Sequence, residues 1–271
     1  MTLCYIFTTW FLEAFVVIGY LWSNGDSGAG KTNFLNMIVE LSYWGMLILA
    51  GGSYASLRDL ADYGATLAFD DAENLADPRS LDPDKRTLLL AGNRRGNKVP
   101  LKEIGPDKIW RTRYVNTFCP RLFSAIRLPD PVLSNRSIIV PLVRTADRTR
   151  GNAVLLDHET WPYNRRELID DLWAMALCHL REMSQYERQV RQRASLSGRA
   201  LEPWRSLLAV ALFLEGKGIE GLFQRMDDLS QNYQKERSEL DTNNLTVLVI
   251  RGLCHSFQLC HFRGDPEGMG D

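Results

Sequence analysis

The sequence predicts an α/β architecture: a parallel five-stranded sheet flanked by helices, followed by an all-helical part. Three observations carry this. Short apolar stretches alternate with helix-period stretches over the first half. A glycine-punctuated segment, NGDSGAGKTNF (residues 24–34), joins an apolar run to an amphipathic one. From Glu167 onward apolar residues recur at three and four, without a strand-like alternation. With 271 residues, 45% of them hydrophobic, the chain can bury one sizeable core. Its net charge of -1 means that attraction to a nucleic acid must come from a local patch. The five cysteines are scattered and odd in number, which suits reduced thiols in a cytoplasm rather than a disulfide framework.

The opening LCYIFTTWFLEAFVVIGYLW carries one charge, Glu13, and approaches the ~20 apolar residues of a membrane span. Glu13, Thr8 and Thr9 interrupt it, and neither a basic leader nor a small-residue cleavage site accompanies it. A buried helix leading into a core strand is therefore expected, with a membrane anchor over residues 3–22 as the alternative.

The strand Tyr20–Ser23 precedes the glycine segment, and Phe34, Leu35, Ile38, Val39 and Leu41 form a helical stripe after it. Gly25, four residues, then Gly30-Lys31-Thr32 satisfy the phosphate-loop pattern G-x-x-x-x-G-K-[ST]. Glycines let the backbone curl so that its N–H groups converge on phosphate oxygens, and the following helix adds the positive end of its dipole. Gly25, Asp26, Ser27, Gly28, Ala29, Gly30, Lys31 and Thr32 are thus the expected nucleotide-binding residues. Lys31 would reach the β- and γ-phosphates of ATP, and the Thr32 hydroxyl would ligate Mg²⁺.

A strand over GMLILAG (residues 45–51) and a helix over SYASLRDLADYG (residues 53–64) come next. Then TLAFDDAEN (residues 66–74) reads as an apolar strand ending in two acids, a Walker B segment. Asp70 would hold Mg²⁺ through water, and Asp71 would orient and deprotonate the attacking water. Aspartate is one methylene shorter than the glutamate more usual there, so Glu73 is a possible helper. A helix N-cap is the plainer alternative for Asp70 and Asp71.

Because another strand lies between the two motifs in sequence, the strand after Walker B is expected to slot between theirs. IWRTRYVNTF (residues 109–118) is the candidate, with Asn116, or else Thr117, as a sensor of the γ-phosphate. SIIVPLV (residues 137–143) completes the sheet, and Arg136 at its entrance is a candidate arginine finger acting on a neighbouring subunit. The helical part contains ELIDDLWAMALCHLREM, YERQVRQR as a solvated continuation, PWRSLLAVALFLEG and GLFQRMDDLSQNYQKERSEL, before a last apolar element, NNLTVLVIRGL. The expected division is an ATPase core over residues 1–155, a helical lid over 156–253 and an irregular tail over 254–271. Cys254, His255, Cys260 and His261 in the tail lack the spacing of a zinc site.

The order YLWSNGDSGAGKT, SYASLRDL, TLAFDDAEN, AGNRRGNKVPLKE, CPRLFSAIRLPDPVLSNRSIIVPLVR, LSGRALEPWRSLLAVA resembles an uncharacterised P-loop ATPase family of phage, plasmid and integrated mobile elements. Its members are often fused to primase or placed as a helicase-like module, and the similarity spans roughly residues 5–250. The resemblance implies an AAA+-like or superfamily-three-helicase-like ATPase working as a homo-oligomeric ring on DNA. It further implies that Arg199 is a second sensor in the lid, and that the basic loop carrying Arg94, Arg95, Lys98 and Lys102 faces DNA in a central pore. The apolar start and the composition shift after Leu253 suit a portion of a longer primase–helicase.

Overall fold

Parallel strands cannot be joined by tight hairpins, so each needs a crossover, and the sequence supplies one between most strands. The computed structural model describes residues 1–49, 52–76, 82–147, 151 and 164–242. The five-stranded sheet consists of β1 (Tyr20–Asn24), β2 (Gly45–Leu49), β3 (Thr66–Asp70), β6 (Arg121–Ala125) and β7 (Ser137–Pro141), in the order β2-β3-β6-β1-β7. Every neighbouring pair is parallel. The remaining strands, β4 (Lys98–Ile104) and β5 (Trp110–Asn116), form a separate antiparallel hairpin.

This corrects one expectation. A strand does slot between the two motif strands, but it is β6, not residues 109–118. The physical reason is burial. A central parallel strand is covered on both faces; all five residues of β6 are buried, whereas the first five of β5 are exposed.

Ten α-helices are described. α1 (Thr2–Trp10) ends in a short 3₁₀ turn at Leu12–Ala14. α2 (Lys31–Leu41), α3 (Tyr54–Asp62), α4 (Glu73–Ala76), α5 (Pro83–Ala91) and α6 (Pro131–Ser134) connect the strands. α7 (Arg165–Arg193), α8 (Gly198–Leu201), α9 (Arg205–Gly216) and α10 (Leu222–Thr242) form the helical C-terminal part. Side-chain caps start several of them: Ser53 accepts from Ser56 N–H, Asp82 from Asp84 and Lys85 N–H, and Asn164 from Arg166 N–H.

Two compact units divide the chain, Met1–Asp227 and Asp228–Asp271, and in the second the described residues continue α10. In the first, Tyr20, Trp22, Phe69 and Phe123 lie at the centre of the sheet's core, the last two stacked with centroids 5.2 Å apart. α9, buried from Ser206 to Leu214, packs against α1 and α7, with Phe11 and Phe213 edge to face at 5.5 Å. Trp10, Tyr43 and Trp173 form a second aromatic cluster. Arg121 on β6 is fully buried; it donates to Tyr20 Oη, Leu89 O and Thr117 O at 2.8, 2.8 and 3.0 Å. Burial pushes the Tyr20 phenol up to about 12 and raises the Cys119 thiol, so both stay protonated at neutral pH.

Among the described residues no helix is long and apolar enough to cross a membrane, and the opening segment folds as a nine-residue helix with six buried residues. The expected 155/156 boundary, the element NNLTVLVIRGL and the tail cysteines and histidines lie outside the described residues.

Candidate functional site

The loop from Gly25 to Gly30 leaves the C-terminal end of β1 and enters α2. In open parallel sheets the crevice at the carboxyl ends of the strands is where ligands bind. Glycine is needed at its first position because a Cβ on Gly25 would sit 2.4 Å from Leu142 O. At Gly28 and Gly30 the backbone takes φ of +78° and +81°, a region that side chains disfavour. The loop thereby turns straight into the first turn of α2, which opens with Lys31 and Thr32 and carries the positive end of the helix dipole.

Lys31 Nζ donates to Gly25 O at 2.8 Å and to Asp26 O at 3.0 Å, lying back across the loop. Thr32 Oγ1 donates to Asp70 Oδ2 at 2.8 Å, joining the start of α2 to the end of β3. A hydroxyl and a carboxylate at that separation form a hard oxygen donor set, the kind that suits Mg²⁺. Asp71 follows with a left-handed φ of 53° and an exposed side chain. The loop residues 27–32, Asp70 and Asp71 line one open cavity of about 870 Å³, together with Ile126 and Arg144.

Ser124 occupies the position that the sequence reading assigned to Asn116. Its hydroxyl donates to Asp70 Oδ1 and accepts from Asp71 N–H at 3.4 Å. The outgoing chain is held by β1: Asn24 Nδ2 donates to Ile126 O at 2.7 Å and Trp22 Nε1 to Arg127 O at 3.1 Å. Asn116 instead ends the hairpin. Its Oδ1 accepts from Phe118 N–H, and its own N–H bonds Asp62. Thr117 is buried and donates to Asn97 O at 3.1 Å. Both precede β6 and so stand at its N-terminal end, the opposite end of the strand from Ser124.

Glu73 is not free to help Asp71. Its carboxylate accepts from the Ile126 and Arg127 N–H groups and clamps the segment after β6.

Arg136 precedes β7, and its carbonyl accepts from Tyr20 N–H at the beginning of β1. Its guanidinium donates to Val132 O at 2.6 Å. It therefore stands at the far end of β1 from the loop, roughly 13 Å of strand away. Arg199 is exposed on α8 and does not line the loop cavity. The next turn of that segment, at Pro203, abuts Gly19 before β1, again the end away from the loop.

The basic segment divides in two. Arg95 is a structural clamp: its guanidinium donates to Phe15 O and Leu12 O, both at 2.8 Å, and pairs with Glu13. Arg94 pairs with Glu202. Arg95 is thereby committed to groups of the same chain, whereas the Arg94 side chain stays 54% exposed beside Glu202. Lys98 and Lys102 are exposed on β4. By register, Lys98, Pro100, Lys102 and Ile104 share one hairpin face with Asn116, Tyr114, Thr112 and Trp110. Trp110 is 61% exposed and Tyr114 64%. The opposite face turns to the body of the protein through buried Val115 and the Arg113–Asp62 pair.

Sequence reasoning missed Arg144 and Ser124. The first follows β7 without a motif. The second was findable as the polar residue ending a short strand with Leu122 and Phe123.

Comparison with known proteins adds little to the geometry. No protein family matches the chain, and no curated protein does. Among solved structures, a JCV helicase determined with a bound acetamide compound is similar at a TM-score of 0.35 and 16% identity, over 91% of this chain and 58% of that one. The chain thus spans less than two thirds of that helicase's length.

Proposed function

We propose that the protein is a Mg²⁺-dependent ATPase whose work is done on single-stranded nucleic acid. The observation that carries the reading is the joint placement of the Gly25–Thr32 loop, Lys31 and the Thr32–Asp70 contact at the carboxyl end of a parallel sheet. In such a site the loop N–H groups and Lys31 bind the phosphates, and Thr32 and Asp70 hold the metal. Magnesium, when bound, neutralises charge developing on the phosphate oxygens. Asp71 orients the attacking water and accepts its proton, while Ser124 fixes the rotamer of Asp70. Positioning and electrostatics supply nearly all of the catalysis.

The nucleic-acid part rests on the hairpin. Two exposed aromatic rings interleaved with two lysines on one ribbon face suit stacking of unpaired bases beside their phosphates. The reading includes a ring of identical subunits, in which Arg136, at the far end of β1 from its own loop, would serve the phosphate of another copy. The sequence resemblance supplies the setting, a helicase- or primase-associated motor of a mobile element.

The test is steady-state ATP hydrolysis with Mg²⁺, with and without single-stranded DNA, over a range of protein concentrations. Turnover rising with both DNA and concentration is the expected result, and absence of nucleotide binding sinks the reading. A second reading, an ATP-loaded switch with negligible hydrolysis, is favoured by one feature: Glu73 is committed to backbone, leaving water activation to the shorter Asp71. Tight binding without turnover is its signature.

In the same assay Ser124→Ala is expected to lower turnover about 10-fold, the loss of one positioning hydrogen bond, while the Kd for ATP stays within about twofold. An equal effect on both quantities would give Ser124 a binding role instead.

A further inference from the structure

We infer that Arg144, just beyond β7, is a second phosphate ligand of the nucleotide site, contributed by the same chain as the loop; the inference rests on the ATP-binding reading above. Its Nη2 donates to Ser27 O at 2.7 Å. A Cβ on Gly28 would lie 2.7 Å from Nη2, 3.1 Å from Nε and 3.2 Å from Cζ, so the whole edge of the guanidinium faces the middle of the loop. Lys31 and Arg144 together bond three consecutive loop carbonyls, those of Gly25, Asp26 and Ser27.

Among the described residues no carboxylate pairs with either cation. Each is held in place by carbonyls alone, and both line the cavity bounded by the loop, Thr32 and Asp70. Two cations spread over the loop in this way are arranged for an anion. A polyphosphate offers each of them a charged acceptor in place of a neutral one, and the planar guanidinium fork matches two phosphate oxygens at once. Arginine is exposed here and its bond to Ser27 is single, so little of the fold depends on it. Glycine at 28 has a second use in this arrangement: any side chain there would push the guanidinium off the loop.

Fluorescent ATP and ADP analogues, each with Mg²⁺, test the inference by equilibrium titration of the parent protein, Arg144→Ala and Arg144→Lys. Melting without nucleotide is followed in parallel. Arg144→Ala is expected to raise Kd about 10- to 100-fold, with partial recovery in Arg144→Lys. Ligand-free melting is expected to stay within about 2 °C of the parent. Weakening of the ATP analogue alone places the contact on the γ-phosphate; weakening of both places it on the β-phosphate. Parent-like affinity in Arg144→Ala overturns the inference and leaves the ATP-binding reading standing. So does a loss matched by lower ligand-free stability and not recovered by lysine, which would make Arg144 a brace of the loop. A parent protein that binds neither analogue brings down both.

Discussion

Lys31→Ala is expected to reduce ATP binding below detection and hydrolysis by at least 10²- to 10³-fold, the scale of losing one charged group aimed at developing phosphate charge. Lys31 opens α2 and lies across the loop, with Nζ 2.8 Å from Gly25 O and 3.0 Å from Asp26 O. A bound phosphate would exchange those neutral acceptors for anionic ones. Alanine keeps the helix intact, since it is the best helix former, and the ammonium has no carboxylate partner to strand among the described residues. Folding should therefore be unaffected, which makes the variant informative. The measurement is a nucleotide titration alongside a melting curve. Normal turnover in a folded Lys31→Ala protein would remove the phosphate-loop assignment altogether.

Gly19→Ala is expected to be among the most destabilising single substitutions in the chain, at about 3 kcal/mol or more. A Cβ at residue 19 would stand 2.2 Å from Pro203 O, 2.8 Å from its Cα and 2.9 Å from its carbonyl carbon. All three are backbone atoms, so no rotamer change relieves the clash. On either side the chain is locked, with Ile18 and Tyr20 buried before and within β1 and Trp204 buried next to Pro203. The strand and the α8–α9 turn must move apart, opening apolar contacts that α9 makes along its buried length. With an m-value of about 1–3 kcal/mol/M, the urea midpoint should fall by roughly 1 M or more. A parent-like midpoint would mean that this close approach is not maintained in solution.

Local chemistry wrote much of the architecture into the chain. The strands at residues 20, 45, 66 and 137 were legible because each is a short apolar run bounded by turn or cap residues, and the helices at residues 165 and 205 because their apolar spacing is periodic. The fifth strand was not. Arg121 and Ser124 give RLFSA the look of a loop, and only in the folded chain do Tyr20, Leu89, Thr117 and Asp70 supply the partners that let them be buried. The hairpin carries a local signal, GPDK between two alternating stretches, but its second strand, IWRTRYVNTF, reads equally well as a strand of the central sheet.

The sequence by itself determined the loop, the two acids at the end of β3 and the alternation that builds a parallel sheet. These depend on backbone conformation and spacing within a few residues, which neighbouring side chains dictate. Tertiary structure alone decided which strand runs between β3 and β1, that Ser124 rather than Asn116 meets Asp70, that Glu73 and Arg95 are spent on backbone, and that Arg144 reaches Ser27 from 117 residues away. Each of these is a contact between distant segments, formed only when burial brings polar groups together and obliges them to find partners.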